Sequence, residues 1–563
     1  MMKDEETELQ ELAPWFAIVI TLIGGALRVL LLDNKGLRFE ETFSLWVSSH
    51  DVVDMLQWIA KIDQHPPLYY LLLHYWTALN GDAPSAIRQL SVLFGAGTIP
   101  LIYLIGKRMS GAVMGLVAAV ILAFSPFNIR LAQETRMYTL LMFNASVAIY
   151  ALVWLLTDTR SSRPIGSQFR EYLHTWRTAG PVAPGTDEGF SYADKTRNQT
   201  GWRAFIFRHR WSPIQTIETD LAWVAFIVFS AATLLTHNTA VLFLLATNFF
   251  VLGLMLYERR KKSNAQPAFQ APSFWNWVKA QVGILLLWSP WVFAFIKQAG
   301  RVYQEFWIQK PDLGTVIQTL AAFLNTFAPG QAGQVLVIWI LYALVLCLGL
   351  VQYRKKISVF LFLVVLIVIP FLGELVVSLR RPIFLDRTLI WTTIPLFLVL
   401  AAGIVQLRFR LLIIVVLGIL GTNNLFSASD YYRSMQAEDW SKPAGFVAKF
   451  VQNGDLILFN ATAVQIPFDY YFIPYEKQYF FQVEKRGFPV NLFDSGIREP
   501  EMTESDIPGL VTMLNGHKTV WLVYSHNRDS DPMGLIPQTL AAQMKLVYQR
   551  DFSNVQVQIY ATP

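Results

Sequence analysis

The chain has 563 residues, of which 54% are hydrophobic and only 15% are charged, and its mean hydropathy is +0.38. Soluble domains carry about 25% charged residues, so this composition excludes an ordinary soluble protein and indicates a polytopic membrane protein. The net charge of +6 does not indicate nucleic-acid binding, because the basic residues stand in short clusters between apolar runs. The single Cys347 excludes a disulfide framework and a cysteine metal site.

Eleven apolar stretches are candidate membrane spans, because a spanning helix needs about 20 mostly apolar residues. The N-terminus is acidic and lacks the basic region of a cleavable signal peptide, so we expect the first span to be retained. The candidate spans cover approximately residues 14–33, 86–106, 112–128, 136–157, 220–236, 238–257, 275–296, 333–353, 357–378, 388–405 and 411–427.

Short basic clusters predict the orientation of these spans. If the spans alternate, the N-terminus and five basic tracts fall on one side, at residues 107–108, 158–219, 258–262, 354–356 and 408–410. The positive-inside rule makes that side cytoplasmic. The acid-rich loop 34–85 and everything after about residue 428 are then extracytoplasmic. We therefore expect a multi-pass protein of the plasma (inner) membrane with a cytoplasmic N-terminus.

The loop 34–85 after the first span is too long and too amphipathic to be a simple connector. Residues 40–60 mix Trp and aliphatic side chains with polar ones, which predicts helices that lie in the membrane interface. Residues 66–79 predict a further helix, which starts after two prolines at a position where proline is tolerated. The Gly-, Pro- and Arg-rich stretch 158–219 lacks periodicity and predicts a cytoplasmic loop that is partly disordered.

The composition changes after about residue 430, where short apolar runs alternate with amphipathic segments. This alternation predicts a small α/β domain. We therefore divide the chain into a membrane domain, residues 1–428, and an extracytoplasmic α/β domain, residues 429–563. The predicted strands cover residues 455–459 and 519–524, and the predicted helices cover residues 441–452, 503–515 and 535–543.

The first loop carries the most informative residues of the chain. It contains a pair of carboxylates, Glu40-Glu41, and a His-Pro-Pro turn with Asp63 and His65. Adjacent carboxylates repel each other, so one can be held as a base while the other binds or orients a partner. The alternative explanation is a solvated helix N-terminus that the helix dipole stabilises. A loop that returns acids to the membrane surface is what an enzyme with a lipid substrate requires.

Short motifs follow one another along residues 38–140. They are Glu40-Glu41-x-x-Ser44, Asp63-x-His65-Pro66-Pro67-Leu68-Tyr69-Tyr70, Arg88-x-Leu90-Ser91, Ser125-Pro126-Phe127 and Gln133-Glu134-x-Arg136-Met137-Tyr138. In this order they resemble glycosyltransferase family 39, the dolichyl-phosphate-mannose–protein mannosyltransferase-like group of the GT-C membrane fold. A more distant similarity is to the bacterial enzymes that move aminoarabinose from undecaprenyl phosphate onto lipid A.

The resemblance implies an α-helical polytopic membrane protein of the GT-C type, with about 11 spans and a small C-terminal α/β domain. It also implies inverting transfer of one sugar from a polyprenyl-phosphate donor to an acceptor hydroxyl on a protein, a lipid or a glycan. The family usually shows Asp-Glu in the first outer loop, and the Asp is taken as the catalytic base. Here that position is Glu40, which we assign as the base, with Glu41 in support and as the alternative base.

Phosphate is a leaving group that needs no general acid. The chemistry therefore requires one carboxylate for the acceptor proton and cations for the phosphate. Arg136, Arg380, Arg381 and Arg387 are candidates, because the positive-inside rule makes basic residues unexpected on the outer face. Arg136 matches the family motif and is the first choice. Snorkelling or contact with lipid headgroups is the alternative explanation.

Further residues are assigned to substrate binding, each with a structural alternative. Glu134 either points to the sugar or forms an ion pair with another residue. Asp63 binds the sugar or the acceptor, or it initiates the turn, and His65 binds substrate or is structural. His237 stands in a polar break between two apolar runs, and it either lines the site or belongs to a turn between helices.

No cofactor is assigned. The outer face lacks the spacing of metal ligands, although a divalent metal is left open because some relatives in the wider fold use one. One competing function is a transporter or lipid flippase, which predicts charged residues inside the spans, such as Glu374. Another is a non-catalytic sensor or assembly protein, in which the acid-rich loop has no role. The expected partners are the lipid-linked donor, the acceptor and membrane lipids, with no nucleic acid.

Overall fold

The computed structural model describes residues 2–63, 65–170, 212–260, 268–301, 310–325, 332–354, 356–407, 409–434, 438–460, 462–480, 482–491 and 501–562. Most of the stretch 158–219, for which the sequence predicts a partly disordered loop, lies outside these ranges.

Up to residue 433 the described chain is helical. Its helices are α1 Met2–Val29, α2 Phe39–Ser48, α3 Val52–Ile62, α4 Leu68–Asn80, α5 Pro84–Ser110, α6 Ala112–Ala123, α7 Pro126–Ala132, α8 Tyr138–Thr157, α9 Ser212–Leu234, α10 Val241–Arg260, α11 Phe274–Arg301, α12 Leu313–Leu324, α13 Ala332–Tyr353, α14 Ile357–Ser378, α15 Thr393–Val405 and α16 Arg410–Arg433. Short 3₁₀ helices cover Thr159–Ser162, Asn238–Ala240 and Asp386–Thr392.

Each predicted span coincides with helical residues. Among the described residues, nine helices are long and apolar enough to cross a membrane, or ten if α6 and α7, which meet at a 61° bend, form one span. The predicted span at 220–236 coincides with α9, in which the side chains of residues 212–217 lie outside the described part.

The bend between α6 and α7 brings the residues after α7 back to the end of the helical bundle. Pro126 starts α7 and has no N–H to continue α6, so the carbonyls at the end of α6 need other donors. The fully buried Arg28 supplies them, since its guanidinium donates to the carbonyls of Leu122 and Ala123 at 3.0 and 3.1 Å. The same turn leads into residues 133–137, which are buried.

The loop after the first span contains helices α2, α3 and α4, as the sequence predicts. Helix α2 buries Phe43, Leu45 and Val47 and packs against α4. Burial of one face of a short helix supplies most of its stability, because a helix of this length is marginal in isolation. The loop is therefore an ordered layer at one end of the bundle.

Residues 438–562 form the C-terminal domain. Its elements are α17 Ser441–Phe450, β1 Leu456–Phe459, α18 Gln465–Tyr479, β2 Glu484–Gly487, α19 Ile507–Leu514, β3 Thr519–Tyr524, α20 Asn527–Ser530, α21 Leu535–Gln543, β4 Lys545–Phe552 and β5 Val555–Ala561. The strands form one sheet of order β2-β1-β3-β5-β4, in which β1 pairs in parallel with β2 and β3, and β5 pairs antiparallel with β3 and β4. The predicted strands and helices are present, whereas β2, β4, β5 and the helices α18 and α20 were not predicted.

Hydrogen bonds join this domain to the start of α2. The Glu438 carboxylate accepts the Phe39 backbone N–H at 3.1 Å, and the Tyr471 hydroxyl accepts the Leu37 N–H at 2.6 Å. The Tyr470 hydroxyl donates to the Asp82 carbonyl at 3.0 Å. The C-terminal domain thus fixes the N-terminal turn of α2. The predicted boundary at 428/429 falls inside α16 and stays a prediction.

Candidate active site

Three segments that are distant in the sequence meet beside the N-terminus of α2. They are the first turn of α2, the buried residues 133–137 after α7, and the start of the 3₁₀ helix Asp386–Thr392. The first two segments carry the acidic residues Glu40, Glu41 and Glu134 and the basic residue Arg136. The third carries Arg387. The sequence motifs that were singled out separately therefore form one cluster.

Glu41 is enclosed by hydrogen-bond donors. Its carboxylate accepts from Arg88 Nε at 2.8 Å and Nη2 at 2.7 Å, and from the backbone N–H groups of Arg38 and Thr135, both at 3.1 Å. The side chain is only 2% exposed. Burial raises the pKa of Glu41, but the Arg88 charge and these hydrogen bonds outweigh it, so the pKa lies below its ordinary value. A carboxylate with its lone pairs occupied in this way is held ionised and has a poor approach to an acceptor hydroxyl.

Glu134 also forms a structural ion pair. Its Oε1 lies 3.1 Å from Nη1 of Arg38, and the carboxylate is 9% exposed. Of the two alternatives that the sequence left open for Glu134, the structure shows the ion pair. Arg38 thereby links Glu134 to Glu41, whose carboxylate accepts the Arg38 backbone N–H. This second bond is half of a capping box at the N-terminus of α2.

Glu40 has a different environment, although it is the neighbour of Glu41. Its carboxylate is 34% exposed and accepts one hydrogen bond, from Arg387 Nη1 at 3.1 Å. Burial raises the pKa of Glu40, but the charges of Arg387 and Arg136 outweigh it, so the pKa lies below its ordinary value. Glu40 is therefore an ionised, partly accessible carboxylate at the opening of the site.

Arg136 lies between the two carboxylate environments. Its Nη1 donates to Ser44 Oγ at 3.1 Å and to the Glu40 carbonyl at 3.3 Å, so it ties residues 133–137 to the face of α2 that carries Glu40. Its Nε is buried and has no hydrogen-bond partner among the described residues. A buried donor of this kind costs folding free energy unless a ligand or a water molecule accepts its hydrogen bond.

Asp63 and His65 form a hydrogen-bonded pair next to this cluster. His65 Nδ1 lies 2.9 Å from one Asp63 oxygen, and the Tyr70 hydroxyl donates to the other. Burial raises the pKa of Asp63, but the bonds from His65 and Tyr70 outweigh it, so its pKa lies far below the ordinary value. Burial lowers the pKa of His65, so the ring is neutral at neutral pH, and its Nδ1–H donates to the ionised Asp63 carboxylate.

His237 packs against His65 of this pair. Its ring centroid is 5.2 Å from that of His65 and 6.2 Å from that of Tyr138. Its Nδ1 accepts the Thr239 backbone N–H at 3.2 Å, which leaves the proton on Nε2, and Nε2 is buried without a partner among the described residues. Burial lowers the pKa of His237 well below its usual value. His237 thus belongs both to a turn between helices and to the cluster.

The remaining predicted residues are placed less centrally. Arg380 and Arg381 follow α14, where Arg380 is exposed and Arg381 is half-buried. The hydrogen bonds to the carboxylates of Glu40, Glu41 and Glu134 come from other arginines. Arg380 and Arg381 stay candidates for phosphate contact by position alone.

Arg38 and Arg88 are the functional residues that the sequence reading missed. Both stand within or beside the quoted motifs, but neither was assigned a role. Arg88 donates to Glu41 and also to the carbonyls of Leu32, Lys35 and Gly36 at 2.7 to 2.8 Å. An arginine in the first turn of an apolar span was a usable signal, because such a charge needs a buried partner.

The residues present do not by themselves form a metal site. In the part of the chain that the structure describes, no group of three His, Cys, Asp or Glu side chains gathers as metal ligands. The carboxylates of the cluster each bond an arginine or the His65–Tyr70 pair, so nearby groups already balance their charge. The positive charge that faces the opening is supplied by Arg387 and Arg136.

The fold and this cluster define the class of the protein. It is a multi-pass membrane protein in which a loop after the first span, a bent helix pair and a late span jointly build a carboxylate–arginine site. The chain matches the family model for dolichyl-phosphate-mannose-protein mannosyltransferase over residues 64–166. No curated protein sequence matches the chain significantly.

Solved structures of the same fold are similar over nearly the whole chain. ArnT from Cupriavidus metallidurans in the apo state has a TM-score of 0.57 at 12% identity, covering 97% of this chain and 98% of that one. The same protein bound to undecaprenyl phosphate has a TM-score of 0.56 at 11% identity, with 96% and 97% covered. The archaeal oligosaccharyltransferase AglB from Archaeoglobus fulgidus has a TM-score of 0.49 at 9% identity, covering 98% of this chain and 74% of that one.

These findings confirm the resemblance that the motifs indicate. The chain has the GT-C fold of the ArnT structures, and its residues 64–166 match the model of the dolichyl-phosphate-mannose-protein mannosyltransferase family. The expected fold class, with apolar spans and a small C-terminal sheet domain, is likewise confirmed.

Proposed function

We propose that the protein transfers one sugar, with inversion, from a polyprenyl-phosphate donor to an acceptor hydroxyl at the outer face of the membrane. The contrast between the two neighbouring carboxylates supports this most directly. Glu40 is partly exposed and bonded to one arginine, whereas Glu41 is buried and engaged by four donors. The ArnT structure of the same fold is bound to undecaprenyl phosphate, which supports a lipid-phosphate donor.

Glu40 is the base in this proposal. Its carboxylate takes the proton of the acceptor hydroxyl while that oxygen forms a bond to C1 of the sugar. On the opposite face of the sugar the bond from C1 to the phosphate oxygen breaks, and the lipid phosphate leaves with the electron pair. Attack from the face opposite the leaving group inverts the configuration at C1. Phosphate needs no proton to leave, so one carboxylate is sufficient.

Arg387 and Arg136 stabilise the negative charge that develops on the phosphate as it leaves. Arg387 and Arg136 both act on Glu40 electrostatically, and Arg136 Nε has no partner among the described residues. Charge-assisted hydrogen bonds from guanidinium groups to phosphate are short and strong, and their geometry allows two-point contact. Arg380 and Arg381 are secondary candidates that would meet the phosphate outside the cluster.

Glu41 acts by position in this proposal. With Arg88 it fixes the first turn of α2, and with the Thr135 N–H it fixes residues 133–137, so that Glu40 and Arg136 face the same opening. Small displacements of a reacting group are costly in catalysis. Glu134 has a similar role through Arg38, and the Asp63–His65 pair with His237 offers polar atoms to the sugar hydroxyls.

The transporter alternative receives less support. The buried acid on which it depends, Glu374, has a local hydrogen-bond partner, because Thr388 Oγ1 lies 2.8 Å from each of its oxygens and can donate its one hydrogen to either. The outer face, the plasma-membrane location and the cytoplasmic N-terminus rest on the distribution of basic clusters in the sequence. The acceptor is a protein, a lipid or a glycan.

The test is release of sugar from radiolabelled polyprenyl-phosphate mannose, glucose and arabinose by the purified full chain. Glu40→Gln keeps the size of the side chain and removes the base, so we expect about a 10²- to 10⁴-fold loss of turnover with the wild-type melting temperature. The matched variant is Asp551→Asn, an exposed carboxylate on β4, which should keep full turnover. Full turnover by Glu40→Gln, or turnover of none of the three donors by the wild-type chain, would overturn the proposal.

A further inference from the structure

A cavity lies on the face of helix α2 that points away from the carboxylate cluster. It has a volume of about 680 Å³, is open to solvent on one side and is lined by α2, α4 and the C-terminal helix α18. This volume is within the range of about 300–1,000 Å³ that small-molecule sites usually have. The cavity is therefore large enough for a ligand.

The periodicity of α2 separates this cavity from the site. Glu40 and Ser44, one turn apart, face Arg387 and Arg136. Leu45, Trp46 and Ser49 line the cavity, and with 3.6 residues per turn they lie on the other side of the helix. A ligand in the cavity therefore cannot place its own atoms at Glu40 unless it extends around a helix about 10–12 Å wide.

The lining of the cavity has a definite chemistry. Trp46 and Tyr470 present aromatic surface. Asp469 also lines the cavity, and its carboxylate accepts from Lys485 Nζ at 2.9 Å and from Gln465 Nε2 at 3.1 Å, which leaves lone pairs on both oxygens for a further donor. Ser48 lines the cavity, is 1% exposed, and its hydroxyl has no hydrogen-bond partner among the described residues. The polar lining further includes Thr42, Ser49, His74, Thr77 and Asp82.

These groups match a neutral saccharide. Hydroxyl groups can donate to a carboxylate and exchange hydrogen bonds with serine and threonine, and the C–H faces of a sugar ring pack on aromatic surface. Among the described residues no lysine or arginine lines the cavity; Lys485 pairs with Asp469 from outside the lining, and Asp82 leaves one unpaired acid that disfavours an anionic ligand. A phosphorylated headgroup, which guanidinium and ammonium groups would bind, is disfavoured.

We propose that this cavity binds a neutral saccharide, and that this saccharide is the non-reacting part of a glycan acceptor longer than one sugar. The inference rests on the proposed function and narrows its acceptor to a glycan. Binding away from the reacting centre lets the acceptor be held by both domains, because α18 belongs to the C-terminal domain and α2 carries Glu40. The anchoring energy then lowers the KM for long acceptors and leaves kcat unchanged.

Saturation-transfer NMR on the purified full chain in detergent measures binding directly. The probes are mannotriose and maltotriose, with mannose 6-phosphate and an uncharged serine-rich peptide as competing classes. We expect saturable trisaccharide binding that Asp469→Asn weakens by at least about tenfold, since the variant loses a charged acceptor. The second variant is Thr77→Val, at a half-buried residue of α4. We expect it to weaken binding about threefold.

Controls separate this inference from the proposed function. Glu40→Gln should bind trisaccharide normally, because Glu40 lies on the other face of α2, and Asp551→Asn on β4 should also bind normally. Asp469→Asn should retain acceptor-free hydrolysis of the donor. The inference is overturned if no trisaccharide binds, if both cavity variants bind as the wild type does, or if the phosphorylated sugar or the peptide binds more tightly. If trisaccharide binds but Glu40→Gln hydrolyses the donor as fast as the wild type, the proposed function is overturned and the saccharide site is not.

Discussion

Two ion pairs start from adjacent residues of α2, since Glu41 pairs with Arg88 and Glu40 pairs with Arg387. The two carboxylates differ in exposure and in the number of hydrogen bonds that they accept. The Glu41 carboxylate is 2% exposed and accepts four hydrogen bonds from described residues. The Glu40 carboxylate is 34% exposed and accepts one. Consecutive residues of a helix point about 100° apart, so one acid enters the protein and the other faces the opening. The comparison shows how a sequence of two acids provides one structural and one reactive carboxylate.

Removal of Arg88 should have the largest effect on stability. Arg88→Ala leaves the buried Glu41 carboxylate without its charged partner and leaves the carbonyls of Leu32, Lys35 and Gly36 without their donor. Breaking a buried ion pair on one side typically costs about 3–5 kcal/mol. We expect a large fall in the midpoint of thermal unfolding in detergent. A midpoint equal to that of the wild type would mean that the Glu41–Arg88 ion pair does not stabilise the fold.

Removal of Arg387 should affect catalysis more than stability. Arg387→Gln removes one cation from the opening, and loss of one such donor typically costs about 10²- to 10³-fold in turnover. Arg387 lowers the pKa of Glu40, and Glu40 acts as a base only when it is ionised. Turnover therefore rises as the pH increases through that pKa, and in Arg387→Gln the pKa rises, so the acidic limb moves to higher pH.

The measurement is the pH profile of donor hydrolysis for the wild type and Arg387→Gln. Arg259→Gln, at an exposed arginine near the end of α10, serves as the matched variant and should keep the wild-type limb. An unmoved acidic limb in Arg387→Gln would contradict the assignment of Glu40 as the group that titrates.

The smallest expected effect is on the Asp63–His65 pair. Tyr70→Phe removes the hydroxyl that donates to Asp63 and leaves the His65 bond in place. A hydrogen bond to a charged group contributes about 1.5–3 kcal/mol, so we expect a moderate fall in the unfolding midpoint, smaller than for Arg88→Ala. Tyr75→Phe, an exposed tyrosine of α4, should have no effect. Equal midpoints for the two variants would show that Tyr70 does not support Asp63.

The helices of the membrane domain could be predicted well from the sequence, because hydropathy acts over each segment separately. Each predicted span coincides with helical residues, and the three helices of the first loop are present. The strands β2 and β4 were missed because β2 is short and polar and β4 is exposed, so their pairing depends on neighbours in the folded domain. In β5 the alternation Val-Gln-Val-Gln-Ile was a usable signal, because it places apolar side chains on one face of a strand. Helix α18 was missed because its mixed composition lacks an apolar stripe.

The sequence by itself determined the class of protein, the apolar spans and the motifs that supply Glu40, Asp63, Arg136 and the other site residues. Residue type and spacing carry that information locally. The tertiary structure alone decided that Arg88 saturates Glu41, that Arg387 approaches Glu40 from a span 347 residues away, and that His237 packs on His65. These contacts depend on the bend after α6 and on the docking of the C-terminal domain. Long-range packing of this kind leaves no periodic signal in the chain.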